Sequence, residues 1–156
     1  MSTDSPKPAS FGSFTISRLL NASPARVYAA WSTKAGKDRW FKAVNNAWEL
    51  TERQFDFRVG GHDIMAGKWQ TGMISRFAAT YLDIVPDQRV VYAYDLLLDD
   101  KKISVSLATI EFHAEGNGTR MTVTEQGAFL DGYEDKGSRE TGTKALMDVL
   151  VASLEE

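Results

Sequence analysis

The chain has 156 residues, 43% hydrophobic and 25% charged, a composition that predicts one folded globular domain rather than a disordered chain. Its net charge of −3 argues against a nucleic-acid backbone or an anionic membrane as partner. It has no cysteine and only two histidines, His62 and His113, so disulfides, thiolate metal sites and a thiol nucleophile have nothing to build on, and a His-rich metal centre is disfavoured.

Residues 1–10 are polar and carry two prolines, and they are expected to form a flexible tail ahead of a single domain over 11–156. No run approaches the roughly 20 apolar residues of a membrane span. The start has no apolar signal region, so a cytoplasmic location is expected. Phe14 to Leu20 reads as a short strand. Ser23 suits an N-cap and Pro24 the first helical position. Val27, Ala30 and Trp31 then follow at helical spacing, which predicts a helix over 24–32. A second short helix is expected over 34–41, ending in Trp40 and Phe41.

From about residue 45 the pattern turns to strands. Phe55, Phe57 and Val59 alternate with polar residues, Gly60-Gly61 makes a turn, and 62–69 returns as the second arm of a hairpin. Further strands are predicted over 73–85, closed by Pro86-Asp87, and over 90–98, closed by the polar run 99–102. Strands 103–113 and 119–127 flank Glu115-Gly116-Asn117-Gly118, the strongest hairpin signal in the chain. Ala145, Leu146, Met147, Val149, Leu150, Val151 and Leu154 form an amphipathic stripe, so a helix over about 135–155 ends the chain. The order is strand, two short helices, about six antiparallel strands and one long helix: an α+β fold with its helices segregated from the sheet. A long helix laid in the concave face of such a sheet leaves an apolar space, a common place for a ligand.

Among residues that could carry chemistry, Glu125 stands out. Ala108, Ile110 and Phe112 share one strand face, and Met121 and Val123 share another, so two residues further on Glu125 points inward as well. Burial would raise its pKa unless a cation pairs with it; Arg18, in step with Phe14, Ile16 and Leu20, is the expected partner. Asp63, in step with Met65, is a second candidate acid. Trp31, Trp40, Phe41, Trp69, Tyr81, Tyr92, Tyr94, Phe129 and Tyr133 are more aromatic residues than a small sheet needs for closure. Both histidines are expected at the surface. Gly61 to Trp69 has the wrong spacing and no following helix for a phosphate loop, and no Gly-x-Ser-x-Gly elbow occurs.

Three stretches carry a resemblance to a known family. Phe14–Ser23 with Val27–Trp31 is similar to an opening strand and "AW" helix. Arg39-Trp40-Phe41 with Phe57–Gly61 is similar to "RWW" and "RVGG" signatures. Pro86–Tyr94 and Gly118–Gly127 supply the third. In order and spacing the chain resembles the START/polyketide-cyclase (SRPBCC) superfamily, and within it single-domain relatives of the activator of heat-shock protein 90 ATPase. The resemblance implies a helix-grip fold, a curved antiparallel sheet wrapped around the C-terminal helix. Where relatives carry a Gly-Trp pair this chain has Gly142-Thr143, a difference expected to enlarge the cavity, and where they carry His it has Glu125.

The expected cavity wall comprises Trp31, Trp40, Phe41, Met65, Trp69, Tyr81, Tyr92 and Tyr94, with Glu125, Phe129, Thr143 and Met147. The expected partner is a small hydrophobic or amphipathic molecule, with no cofactor, no metal, no nucleic acid and no membrane; a homodimer is compatible with the sequence. Two alternatives stay open. One is a cyclase- or dehydratase-like enzyme using Glu125 as acid or base. The other is a stress-related, co-chaperone-like interaction module. The sequence favours binding over catalysis, because only Glu125 is placed firmly inside.

Overall fold

Alternation of apolar residues sets the strands, and polar turns separate them. The computed structural model describes residues 7–42 and 48–155. β1 (Ala9–Leu20) leads into two short helices, α1 (Pro24–Ser32) and α2 (Lys34–Asp38). Six strands follow: β2 (Trp48–Phe55), β3 (His62–Trp69), β4 (Ile74–Val85), β5 (Arg89–Leu98), β6 (Lys101–Glu115) and β7 (Gly118–Leu130). The last helix is α3 (Lys136–Leu154). The strands form one antiparallel sheet in the order β1-β7-β6-β5-β4-β3-β2. β1 is therefore zipped to β7, from Ala9 opposite Leu130 to Leu20 opposite Thr119. Register shifts at Leu50/Glu52, Tyr81/Asp83 and Leu96/Leu97 bend the strands and help curve the sheet.

Local chemistry accounts for the helices. The Ser23 hydroxyl accepts from Arg26 N and Pro24 occupies the first turn of α1. α2 is a single turn capped by Thr33, and a Cβ on Gly36 would run into the Ala29 carbonyl, so glycine is what lets α2 fold back on α1. Asp135 and Ser138 form a capping box at the start of α3. In the β6–β7 hairpin Gly116 supplies the positive φ, 58°, of the tight turn.

Several expectations need correction. Residues 1–6 of the expected tail lie outside the described residues, as does the boundary near residue 45, but Ala9 and Ser10 already pair in β1. Backbone pairing to β7 extends β1 past the reach of its apolar alternation. β2 ends at Phe55, so Phe57 and Val59 are not strand residues. Phe57 instead packs its ring on Phe55 and Tyr81, at 6.1 and 4.8 Å between centroids, and Val59 is exposed. The α2 helix stops at Asp38; Trp40 and Phe41 follow in a turn whose amides still bond to the Lys37 carbonyl. On α3 the buried residues are Arg139, Thr143, Met147, Leu150 and Ser153, while Ala145 is exposed. The helix is rotated to place Met147 and Leu150 on the core, leaving Leu146, Val149, Val151 and Leu154 at its flanks.

Candidate functional site

α3 runs closest to β1 and α1. Between its N-terminal half and the sheet lies a cavity of about 490 Å³. The helices α1 and α2 and the turn after them give it Trp31, Lys37, Trp40 and Phe41. The sheet gives Trp69, Phe77, Tyr92, Tyr94, Leu96, Val123 and Glu125. The loop before α3 and α3 itself give Glu134, Ser138, Arg139, Gly142, Thr143, Leu146 and Met147. Ser138 and Gly142 are exposed while Trp31 and Met147 are buried, so the cavity opens to solvent beside the first turns of α3.

The structure brings together Trp31, Trp40, Phe41, Trp69, Tyr92, Tyr94, Glu125, Thr143 and Met147 of the residues the sequence nominates. Three others lie elsewhere. Met65 lines a separate hollow with Trp48 and Arg53, because β3 is next to the sheet edge and only its Trp69 borders the cavity. Tyr81 is buried outside the lining, its hydroxyl bound to Asp63. Phe129 is buried beneath the Arg139 guanidinium, 5.3 Å from its ring centre. His62 and His113 are exposed, and among the described residues no group of three His, Asp or Glu side chains could hold a metal. Also among the described residues, no helix is long and apolar enough to cross a membrane.

One polar cluster sits where β5, β6, β7 and α3 meet. Glu125 is 5% exposed, and its Oε1 accepts a 2.6 Å hydrogen bond from the Tyr94 hydroxyl. That hydroxyl in turn accepts from Arg139 Nη1 at 2.8 Å. Arg139 holds Glu134 through Nε and Nη2 at 2.8 and 2.7 Å, and donates to Ser106 and Ser104 at 3.2 and 2.7 Å. Burial pushes the Glu125 carboxyl up, more than the Tyr94 hydrogen bond, the nearby Arg139 charge and the Thr143 hydroxyl pull it down. Arg18, the expected partner, is not part of this cluster: it bonds Asp148 on α3 at 3.2 Å. Arg139 stands near Glu125 instead. The stripe through Met147 and Thr143 reaches Arg139 when extended back by four residues, and Ser104 and Ser106 keep step with Ala108 and Ile110; both signals were in the sequence.

A second cluster lies at α2. Lys37 is 1% exposed and forms an ion pair with Asp63, which is fully buried. Asp63 also accepts from Arg53 Nη1 at 2.5 Å and from the Tyr81 hydroxyl at 2.8 Å. Burial alone would raise the Asp63 carboxyl, but Lys37 and Arg53 outweigh it and hold it below its ordinary value. Asp63 is therefore a locked counter-ion, not an acid facing the cavity; Lys37, which no sequence pattern singled out, is the member of this cluster on the cavity wall.

A curved sheet closed over a long C-terminal helix, with an apolar cavity between them, defines a protein of helix-grip architecture. The sequence matches the family described as activator of Hsp90 ATPase homolog 1-like protein over residues 21–155, and the chain belongs to that family. Its structure is similar to a protein of Rhizobium loti at 40% identity, covering 93% of this chain and 98% of that one with a TM-score of 0.85. It is equally similar in sequence, 40%, to an uncharacterized protein of Rhizobium leguminosarum, covering 97% and 99% with a TM-score of 0.90. An AHSA1-like protein of Aeromonas hydrophila, 18% identical over 92% of each chain with a TM-score of 0.67, shares the fold. Among curated proteins none matches the chain.

Proposed function

We propose that this protein binds a small, largely apolar molecule in the space between the sheet and α3. The observation that carries the reading is the cavity: about 490 Å³, walled mainly by aromatic and aliphatic side chains and open beside α3. That volume is typical of small-molecule sites, and a few convergent polar groups on an apolar wall suit selective binding. Glu125 and Tyr94 orient the ligand, and Thr143 leaves room for it.

Trp31, Trp40 and Trp69 lie on the wall, so binding is readable in their fluorescence. An uncharged apolar dye is expected to quench it saturably. The dye should also raise the melting temperature, because a ligand that binds only the folded state adds about 2.7 kcal/mol at a hundredfold excess over Kd. A dye that changes neither signal removes this reading. The rival readings have less support. An acid–base enzyme loses its second acid, since Asp63 is tied to two cations and a tyrosine. An interaction module whose interior is plain core has no use for an open cavity.

A further inference from the structure

Two cationic side chains border the cavity, Lys37 and Arg139. A guanidinium has five N–H donors, and those of Arg139 are all committed: Nε to Glu134, Nη1 to Tyr94 and Ser106, Nη2 to Glu134 and Ser104. Arg139 therefore builds the wall and has nothing left to offer a ligand. Lys37 differs. An ammonium has three donors, and among the described residues Lys37 spends one on Asp63 and one on a long contact, 3.5 Å, to the Tyr81 hydroxyl. A donor remains on a side chain that is almost fully buried and borders the cavity.

Charge points the same way. The buried cluster holds two cations, Lys37 and Arg53, against one anion, Asp63. Asp38, which also pairs with Arg53, is about one-third exposed and shared with Lys34. Around the ammonium stand the rings of Trp31, Trp40, Phe41, Phe77, Tyr81 and Tyr92, their centres 4.9 to 5.9 Å from Nζ. Burial pulls the Lys37 ammonium below its ordinary range and Asp63 partly offsets this; the rings also favour the charged form, and they offer flat apolar surface to a ligand beside it. At the other polar position Glu125 accepts from the Tyr94 hydroxyl and Arg139 has no donor to spare, so no cation is offered to an anionic group there.

We infer that the ligand is an amphipathic organic acid, with a flat apolar body on the aromatic wall and its anionic oxygen on Lys37 Nζ. This inference rests on the binding reading above and specifies the ligand's charge and orientation. The body lies along Tyr92 and Tyr94, whose ring centres are 5.9 Å apart, and a hydroxyl on its far end would meet Glu125.

Naphthoate and naphthamide test this, since they share a body and differ in charge. At neutral pH the wild-type protein should bind naphthoate at least about tenfold more tightly, a gap of about 1.4 kcal/mol. In the variant Lys37→Met, which leaves Asp63 paired with Arg53 and bonded to Tyr81, the gap should close while naphthamide still binds. Equal affinities in the wild type, or a gap that survives the substitution, would overturn the inference and leave apolar binding intact. If neither compound binds, the binding reading falls and takes the inference with it. Naphthylmethylammonium gives a check that needs no variant: it should bind more weakly than the amide, and tighter binding than naphthoate overturns the assignment.

Discussion

Burial raises the Glu125 carboxyl above its ordinary range, and Tyr94, Arg139 and Thr143 only partly offset it. Its proton is therefore held more tightly in the folded protein than in the unfolded chain. The resulting stabilisation is complete below the unfolded-state pKa and is lost as pH rises through the higher folded-state value. Glu125→Gln keeps an acceptor for the Tyr94 hydroxyl and removes the titration. The variant should differ from wild type by no more than about 1 kcal/mol in mildly acidic solution. It should gain on wild type as pH rises above the unfolded-state carboxyl value, in urea melts run from acid to neutral pH. A loss of several kcal/mol at every pH would instead mean that Glu125 is held as a buried ion pair.

At the scale of the element, α3 is a helix asked to do two jobs. Its C-terminal half packs Met147 and Leu150 into the core, while its N-terminal half presents Arg139, Gly142 and Thr143 to the cavity. Gly142 lies within the helix, where glycine costs about 0.5–1 kcal/mol relative to alanine. A Cβ there would meet nothing within 4 Å. Gly142→Ala should therefore stabilise the protein by about that amount in thermal denaturation. A lower melting temperature would show that the space at Gly142 is not open. The contrast is Gly36, where the Ala29 carbonyl leaves no room for a methyl group. Composition alone treats the two glycines alike; their neighbours separate them.

For the molecule as a whole, the cavity means that stability is unevenly spread. The sheet is continuous from β1 to β2, and along α3 the stretch from Gly142 to Leu146 borders the cavity, while Arg139 is anchored on Phe129 and by Ser104, Ser106 and Tyr94. Elements with fewer packed partners open more readily than the core. Amide hydrogens over 142–146 should exchange faster than those over 147–153 in the free protein, and an apolar dye should slow the first set selectively. Uniform exchange along α3, unchanged by dye, would show that the helix moves as one unit independent of the cavity.

Much of this was legible in the chain itself. Period-two alternation gave most of the strands, the Ser23-Pro24 cap gave α1, and the parity of Met121 and Val123 put Glu125 on the inner face, because these are properties of local backbone geometry. Family motifs between Phe14 and Gly127 carried the fold further. Partners were another matter. Arg18 had the right parity for Glu125 but lies opposite Met121 on the edge strand and turns to Asp148. Arg139 reaches the Glu125 cluster from a helix whose rotation only packing decides. Lys37 looked like any surface lysine on a short polar helix; folding α2 back on α1 through Gly36 buries it between Asp63 and six aromatic rings. Sequence determines which face a residue takes on its own element. Which charges meet across elements depends on how the layers dock, and that is a property of the tertiary structure alone.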